Sequence, residues 1–511
     1  MLTILALVLF AVIAGAVLAD RLMPDASGPP SSALPVAPDA TAIDRALAPL
    51  LAGHARESGA LLLNDGLDAF AVRALATRGA GRSLDLQYYM WKDDLCGQLL
   101  ALEVWRAAER GVRVRILLDD MNAYGLDQQM LTLDRHPNIE IRLYNAFRNR
   151  DGIRRLVELL VRALRVNHRM HNKAWIADGR IAVVGGRNIG EEYFDTAAET
   201  NFRDLDVAVL GPAVDDAAAI FDRFWNDRAV VPLKSMGRKD PERERQTMAD
   251  LETQAGGDKA SAYLARVQAS PGVADFLTGA RRPIWSASIE VVSDPPQKWR
   301  RDDREQWLVR RLVDTIGMAQ TRASLISPYF VPGQEGTQQL TGLARDGVDV
   351  GVVTNSLAAN DVPAVHSGYA RYREPLLAGG VKLYELRARG HTETSGLFGS
   401  SGASLHTKAF IIDGRRGFIG SFNLDMRSAA LNTEMGMLFD DPQIGAALAA
   451  EYERHAGPAL SYEMKLAPDG ELQWIDRTLS PPAILDREPE AGLGRRIAAK
   501  VLGWLPIESQ L

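Results

Sequence analysis

The alternation of apolar and polar positions predicts two similar runs of strands and helices along the chain. The first run is a strand, a helix, a strand and a strand, over 83–90, 96–111, 112–120 and 139–147. The second run repeats this order over 323–330, 338–347, 348–356 and 381–388. Because strands and helices alternate in both runs, we predict an α/β protein with mixed β-sheets flanked by helices.

One stretch of sequence occurs in both runs and relates them to each other. It reads HNKAWIADGRIAVVGGRN from His171 to Asn188, and it returns 235 residues later as HTKAFIIDGRRGFIGSFN from His406 to Asn423. The His, Lys, Asp, Gly and Asn positions keep the same spacing in both copies. A repeat of this kind, with the same order of elements around it, predicts two tandem αβ domains that face each other as a pseudo-dimer.

The chain divides into five predicted segments. They are a membrane anchor or signal segment over 1–22, a Pro- and Ser-rich linker over 23–41, a first domain over 42–230, a charged insertion over 231–283 and a second domain over 284–511. We interpret the insertion as a solvated surface connector, because it is polar and dense in charge. The second domain is expected to end in an amphipathic helix.

The first of these segments contains no charged residue from Leu2 to Ala19. As a helix it would measure about 27 Å, which barely spans the hydrocarbon core of a bilayer and suits a short anchor. Ala14-Gly15-Ala16 resembles a cleavage site, which suits a secretory signal instead. Both alternatives place the protein at the bacterial inner membrane, either anchored in it or exported and associated with it.

Composition and charge exclude several classes of protein. The chain is 46% hydrophobic and 24% charged, which is typical of a globular protein and excludes disordered and fibrous classes. Cys96 is the single cysteine, so neither an intramolecular disulfide nor a thiolate metal cluster can form. The net charge of -6 disfavours an extended surface for nucleic acid, and we predict no nucleic-acid partner.

The repeated spacing His-x-Lys-x4-Asp-x6-Gly-(Gly/Ser)-x-Asn resembles the signature of the phospholipase D superfamily, and the resemblance runs from about Ser83 to the C-terminus. Three further runs, SPYFVP, GGRNIGEEYF and LPIESQL at 327–332, 185–194 and 505–511, are similar to bacterial cardiolipin synthases, most closely the C-type. The resemblance implies transfer of a phosphatidyl group to phosphatidylglycerol, which yields cardiolipin, with phosphatidylglycerol or phosphatidylethanolamine as the donor. A phospholipase D that hydrolyses its substrate and a metal-independent nuclease remain as alternatives.

The two copies of the motif together contain the groups that phosphodiester cleavage requires. One imidazole attacks phosphorus and the other transfers the proton of the alcohol, and the resemblance assigns attack to His171 and proton transfer to His406. Lys173 and Lys408 are predicted to hold the phosphoryl oxygens. We expect no metal or cofactor, because two ammonium groups can supply the charge that a divalent ion would bring. Each motif ends in an asparagine whose side-chain amide is predicted to donate a hydrogen bond to the phosphate. These residues are Asn188 and Asn423.

Each imidazole needs a carboxylate that orients it. Asp204 lies eight residues before Pro212, and Glu434 lies eight residues before Pro442. On this basis Asp204 is predicted to pair with His171, and Glu434 with His406. The resemblance implies structural roles for the motif aspartates, and the small residues should let the backbone approach the site. The predicted structural set is Asp178, Asp413, Gly185, Gly186, Gly420 and Ser421.

Two basic amphipathic stretches bear on the partner. The stretch 147–170 and the stretch 493–511 each combine an apolar helical stripe with several Arg or Lys residues. Each could be a helix that packs on the core with a solvated basic face, or one that lies on anionic lipid. Phospholipid substrates and an anionic membrane surface are therefore the predicted partners, and the sequence indicates no particular protein partner.

Overall fold

A computed structural model describes most of the chain. The described residues are 28–121, 127–146, 168–198, 200–236, 240–277, 279–300, 304–388 and 402–505. The predicted anchor or signal segment over 1–22, most of the basic stretch at 147–167 and the end of the chain at 506–511 lie outside them. Within the described part, none of the helices combines the length and the hydrophobicity that a membrane crossing needs.

Nine strands of the first half and of the connection to the second half form one mixed sheet, in the order β10-β1-β8-β6-β5-β2-β3-β4-β9. The strands in chain order, including β7, which lies outside this sheet, are Ser58–Leu63 (β1), Ser83–Tyr88 (β2), Arg113–Asp119 (β3), Ile139–Tyr144 (β4), Ala174–Ala177 (β5), Ile181–Gly185 (β6), Thr200–Arg203 (β7), Asp206–Leu210 (β8), Val230–Pro232 (β9) and Ile284–Ser286 (β10). β2, β3 and β4 are parallel, and the other pairings in this sheet are antiparallel.

Helices of the first half and the insertion cover this sheet. They are Ala42–Leu51 (α1), Gly66–Gly79 (α2), Leu95–Glu109 (α3), Asp127–Leu133 (α4), Ala213–Trp225 (α5), Pro241–Ala255 (α6), Asp258–Ala269 (α7) and Pro271–Leu277 (α8). Polar residues before several helices explain where these helices begin. Asp94 precedes α3, and its Oδ1 accepts a hydrogen bond from the backbone N–H of Gly97 at 3.0 Å.

The second half repeats the arrangement in a ten-stranded sheet of order β11-β18-β17-β16-β12-β13-β14-β19-β20-β21. Its strands, together with β15, are Ile289–Ser293 (β11), Arg322–Ile326 (β12), Asp349–Asn355 (β13), Lys382–Leu386 (β14), Gly402–Leu405 (β15), Lys408–Ile412 (β16), Arg416–Gly420 (β17), Met435–Asp440 (β18), Ser461–Leu466 (β19), Leu472–Asp476 (β20) and Ala483–Leu485 (β21). Its helices are Leu308–Gly317 (α9), Gly333–Arg345 (α10), Pro363–Ala370 (α11), Arg373–Ala378 (α12), Met426–Ala430 (α13), Pro442–Ala456 (α14) and Leu493–Leu502 (α15). β12, β13 and β14 are parallel, as their counterparts β2, β3 and β4 are.

The predicted α/β class and the two tandem halves are confirmed. The two sheets share an apolar core, in which Ile176 and Val184 of the first sheet lie in one cluster with Ile411 and Met437 of the second. The outer faces carry separate cores beneath the helices. β10 pairs with the first sheet and the second sheet begins at Ile289, so the predicted domain boundary at 283/284 falls one short strand too early.

The insertion packs against the first half more closely than a solvated connector would. Tyr263 and Val267 of α7 are buried in the core beneath α2. The Ser270 hydroxyl donates a hydrogen bond to Asp68 of α2 at 2.7 Å. The high charge of this segment lies mainly in α6, whereas α7 has an apolar face, and charge density over the whole insertion therefore misrepresented α7.

Candidate active site

Both motif histidines lie at the same edge of their sheets. His171 precedes β5, which is antiparallel to β2, and His406 precedes β16, which is antiparallel to β12. Each histidine therefore lies where the parallel strands end, and loops after the parallel strands converge there. This is the edge at which open α/β sheets usually place their binding sites.

Short parallel pairings cross from one half to the other beside each histidine. β7 pairs with β15, and Arg203 lies opposite Leu405. A single bridge joins Met170 to Thr433 in the same way. Asp204 follows Arg203 and His406 follows Leu405, so Asp204 meets His406. In the same way, Glu434 follows Thr433 and meets His171, which follows Met170.

The pairing of histidines and carboxylates is therefore the reverse of the predicted one. His171 Nδ1 lies 2.8 Å from Glu434 Oε2, and His406 Nδ1 lies 2.5 Å from Asp204 Oδ2. The prediction paired Asp204 with His171 and Glu434 with His406. It was wrong because sequence spacing within one half is equally compatible with both arrangements, and only the crossed strands decide between them.

The two carboxylates differ in the hydrogen bonds that they accept from neighbouring groups. Glu434 accepts hydrogen bonds from the hydroxyls of Ser421 at 2.5 Å and Ser428 at 2.9 Å. Asp204 accepts one from the backbone N–H of Leu205 at 2.8 Å. At the position equivalent to Ser421 stands Gly186, where an added Cβ would lie 2.2 Å from Asp204 Oδ1. Glu434 thus has two side-chain donors in addition to its histidine.

Charge keeps both carboxylates ionised despite burial. Burial acts to raise the pKa of Glu434, but the neighbouring His171 and Lys173 outweigh it and hold that pKa below its usual value. The pKa of Asp204 is lowered in the same way, because His406 and Lys408 outweigh the effect of burial. Each imidazole therefore has an anionic partner on Nδ1, which leaves Nε2 for the substrate.

The motif lysines are buried beside their histidines. Lys173 Nζ donates to the carbonyl oxygen of His171 at 2.8 Å, and Lys408 Nζ donates to that of His406. Burial lowers the pKa of Lys173 to about 7 and the pKa of Lys408 to about 8. Burial also lowers the pKa of His171 to about 4 and lowers that of His406. Because burial disfavours the charged form of the lysines, a bound anion would stabilise that form.

The two asparagines that end the motifs each have a side-chain oxygen that accepts no hydrogen bond from the described residues. Asn188 donates to the Tyr193 hydroxyl at 2.9 Å through Nδ2, while its Oδ1 is buried without a hydrogen-bond partner. Asn423 Oδ1 is also buried without a partner. A buried amide oxygen without a partner is unfavourable, so a hydroxyl of a ligand could satisfy it.

The motif aspartates have contacts of another kind. Asp178 accepts hydrogen bonds from the backbone N–H groups of Gly81, Arg82 and Ser83. Asp413 accepts the equivalent bonds from residues 320–322. Both aspartates also start a tight hairpin turn with a positive φ, followed by Gly179 or Gly414, which suits an Asp-Gly pair. They connect the motif hairpin to the start of β2 or β12 and lie away from the histidines.

Sequence reasoning missed several residues around the histidines. The Tyr89 ring lies edge-on to His171, with ring centroids 5.0 Å apart. Phe202 stacks on His406 at 4.9 Å, and Tyr193 approaches it edge-on at 5.2 Å. Ser428 could not have been found from the repeat, because Tyr193 occupies the corresponding place five residues after Asn188.

Known proteins that are similar to this chain include cardiolipin synthases. A family model described as a cardiolipin synthase, PLD-like domain matches residues 76–225 and 312–456. Cardiolipin synthase C of Escherichia coli is 40% identical over 91% of this chain and 98% of its own length. A cardiolipin synthase of Staphylococcus aureus is 26% identical over 76% of this chain and 65% of its own length.

A solved structure resembles the whole fold. The phosphatidylserine synthase of Haemophilus influenzae superimposes with a TM-score of 0.56, covering 89% of this chain and 95% of that one, at 14% sequence identity. At this identity the similarity concerns the fold alone. It includes both halves, and the two-domain arrangement is therefore shared with that protein.

Proposed function

The chain belongs to the phospholipase D-like cardiolipin synthase family, and we propose that it transfers a phosphatidyl group from a phospholipid to phosphatidylglycerol through a phosphohistidine. The observation that carries the proposal is the crossed arrangement, in which each half orients the histidine of the other. It brings two oriented imidazoles and two lysines into one buried site. Such a site holds a nucleophile and a separate proton carrier for the same phosphodiester.

In the first step, His171 Nε2 attacks the phosphorus of the donor lipid. A phosphorus–nitrogen bond forms, and the bond from phosphorus to the headgroup oxygen breaks. His406, protonated on Nε2, gives its proton to that oxygen, so the headgroup leaves as an alcohol. The anionic phosphodiester favours the charged form of His406, which burial alone disfavours.

In the second step, phosphatidylglycerol takes the place of the leaving alcohol. His406 Nε2 removes the proton of its terminal hydroxyl as the oxygen attacks phosphorus, and the phosphorus–nitrogen bond breaks. His171 is restored and the product is cardiolipin. Glycerol leaves when phosphatidylglycerol is the donor, and ethanolamine leaves when phosphatidylethanolamine is.

The different surroundings of the two carboxylates support His171 as the nucleophile. The low pKa of His171 keeps its imidazole neutral, which is the form that attacks. Glu434 is fixed by two hydroxyls and so holds His171 in one orientation. Lys173 and Lys408 stabilise the negative charge that the phosphoryl oxygens carry in both steps.

The C-terminal helix supports contact with an anionic membrane surface. Leu493, Ile497 and Val501 of α15 are exposed at a spacing of four residues, and Trp504 follows with 75% of its surface exposed. Arg496 and Lys500 lie beside this apolar stripe. An apolar face with flanking cations suits a helix that lies at a bilayer interface.

The other side of α15 is attached to the body near the active site. The Ser367 hydroxyl of α11 donates to the carbonyl oxygen of Ala499 at 2.7 Å. Arg495 donates to the carbonyl oxygen of Asn360, in the loop that leaves β13 at the active-site edge. A bilayer against α15 would therefore lie close to the edge that holds the histidines. This location fits the inner membrane as the place of action.

The experiment that tests the proposal uses purified full-length protein and defined lipids. We expect cardiolipin from phosphatidylglycerol vesicles, with glycerol released, and none from the His171→Ala variant. With labelled donor lipid, the His406→Ala variant should retain label on His171, and the His171→Ala variant should retain none. Release of phosphatidic acid in place of cardiolipin would identify a hydrolase, and label on His406 would reverse the two roles.

A further inference from the structure

An apolar pocket opens beside the second motif, and the reaction described above does not use it. It has a volume of about 100 Å³ and lies between α9, α10 and α13. Its described lining includes Val313, Phe330, Phe422, Leu424, Met426 and Ala429. A cavity of comparable size lined by apolar side chains can hold a small apolar ligand.

Nothing in the lining calls for a polar ligand. Gln339 and Asp425 are the polar members among the described lining residues, and both have partners inside the protein. Gln339 Nε2 donates to the carbonyl oxygen of Val313 at 2.9 Å, and Asp425 Oδ1 accepts from the backbone N–H of Ser428 at 2.7 Å. Val313 and Met426 at the rim are 39% and 38% exposed, so the apolar surface reaches solvent.

The pocket lies beside the end of the catalytic motif. Phe422 and Leu424 form part of its wall, and Asn423 between them ends the motif. The same short segment therefore carries a residue of the active site and the wall of an apolar pocket. A ligand that joins a phosphodiester to a hydrocarbon chain matches this combination.

In the first half, aromatic side chains fill the region that corresponds to this pocket. Trp91 bridges to Ile189 just as Phe330 bridges to Leu424, so the two regions correspond. Phe194 stands six residues after Asn188, where Ala429 stands six residues after Asn423.

In the first half, this phenylalanine is covered by an aromatic cluster. Phe194 packs against Phe70 with ring centroids 5.7 Å apart, and Tyr263 of the insertion packs on Phe70 at 5.2 Å. The Tyr263 hydroxyl also donates to the carbonyl oxygen of Phe194 at 3.0 Å. An alanine replaces the phenylalanine in the second half, and the pocket is open there.

We propose that this pocket binds part of one acyl chain of a phospholipid whose phosphodiester occupies the active site. The proposal rests on the phosphatidyltransferase function and adds a site that senses the hydrocarbon chain. Several methylene groups fit, and each that leaves water increases affinity about fourfold. The enzyme would thus prefer lipids whose chains reach the pocket.

The test compares monomeric phosphatidylglycerols with butanoyl, hexanoyl and octanoyl chains as substrates of the full-length protein. For the wild type, kcat/KM should rise about fourfold for each methylene that reaches the pocket. Ala429→Phe, which copies the first half, and Val313→Asp at the exposed rim should reduce that rise about tenfold over the series. Both should act on the butanoyl lipid at nearly the wild-type rate. Met318→Asp is the matched control, because Met318 is exposed near the end of α9 and outside the pocket.

A second measurement keeps the proposal testable if a variant fails to fold. A phosphatidylglycerol with a photoreactive group at the end of one acyl chain should label wild-type peptides within 309–316, 336–340 or 422–429. Labelling confined to other peptides would overturn the proposal, and so would wild-type chain-length dependence in folded Val313→Asp. A wild type that forms no cardiolipin would instead refute the proposed function, while the labelling would still report on the pocket.

Discussion

At the scale of single residues, each carboxylate contacts and orients the histidine of the opposite half. Glu434 acts on His171 through a 2.8 Å contact, and Asp204 acts on His406 through a 2.5 Å contact. The repeat identified all four residues, because the motifs and the two Pro-flanked carboxylates recur in both halves. It could not identify the partners, because that information lies in the strands that cross between the halves.

Substitution of one carboxylate should therefore affect the imidazole of the other half. We expect Glu434→Gln to shift the Nδ1–H resonance of His171 and leave that of His406 nearly unchanged, and Asp204→Asn to do the reverse. Histidine-selective NMR spectra measure this directly, with assignments from the two His→Gln variants. Each substitution should also lower kcat by a factor on the order of 10^3 to 10^4, as expected for loss of an orienting carboxylate. A shift in the histidine of the same half would contradict the crossed arrangement.

The buried lysines predict how activity depends on pH. The pKa of Lys173 is about 7 and that of Lys408 about 8, so the free enzyme loses these two positive charges in turn as pH rises. Because kcat/KM reports on the free enzyme, it should fall above about pH 7 for an anionic donor. The pKa of His171 near 4 keeps the nucleophile neutral above that value, so kcat/KM should rise through about pH 4. Burial lowers the pKa of His406, which must be protonated in the first step, so loss of that proton adds a separate fall that does not depend on Lys173.

Replacement of Lys173 by arginine tests whether loss of the lysine charge causes the fall in kcat/KM near pH 7. Arginine stays protonated in proteins, so Lys173→Arg should remove the fall near pH 7 and leave the later one, at a lower overall rate. A pH–rate profile of purified protein on monomeric substrate tests this. An unchanged fall near pH 7 in the variant would show that another group causes it.

At the scale of elements, the eight strands and helices predicted in the two runs are present, and their bounds agree within five residues. β2 was predicted over 83–90 and occupies Ser83–Tyr88, because alternating apolar positions match a strand buried in a sheet. β7 and β15 carried no such signal. They are four-residue strands whose partners lie in the other half, so their pairing depends on the assembled molecule.

The C-terminal helix gives a prediction about membrane binding. Ile497 of α15 is 55% exposed, and Ile484 of β21 is 58% exposed. Ile497→Asp should weaken binding to phosphatidylglycerol vesicles by about tenfold to a hundredfold, because burial of an isoleucine contributes about 1.5 to 3 kcal/mol. Ile484→Asp, a matched change on another surface, should bind as the wild type does. Vesicle co-sedimentation measures both.

Activity on monomeric substrate provides the control for that experiment. Ile497→Asp should retain its rate on short-chain lipid, because the helix touches no residue of the catalytic set through this side chain. Equal vesicle binding by Ile497→Asp and Ile484→Asp would show that α15 is not the membrane contact.

At the scale of the whole molecule, the apolar core between the sheets and the crossed active site make the halves interdependent. Ile176 and Met437 belong to one buried cluster, and a separated half would expose that surface to water. We expect fragments 1–287 and 288–511 to be insoluble or aggregated when expressed singly, and to copurify with measurable activity when expressed together. The cut lies between β10 and β11, which belong to different sheets.

One outcome of this experiment would contradict the expected interdependence of the two halves. If either fragment alone were a soluble monomer, the shared core would contribute less than its burial indicates. Sequence repetition predicted the two halves, since each has the same order of elements. It could not predict how they share a core, because the residues of that core have the same apolar pattern as any buried strand.

The crossed carboxylates also make assembly of the active site depend on both halves. A phosphodiester-cleaving site contained in one half alone would be complete before the other half had been synthesised. Here each imidazole receives its orienting carboxylate from the opposite half, through residues 204 and 434. Full catalytic activity is therefore expected only when both halves have folded against each other, whether or not the chain between them is continuous.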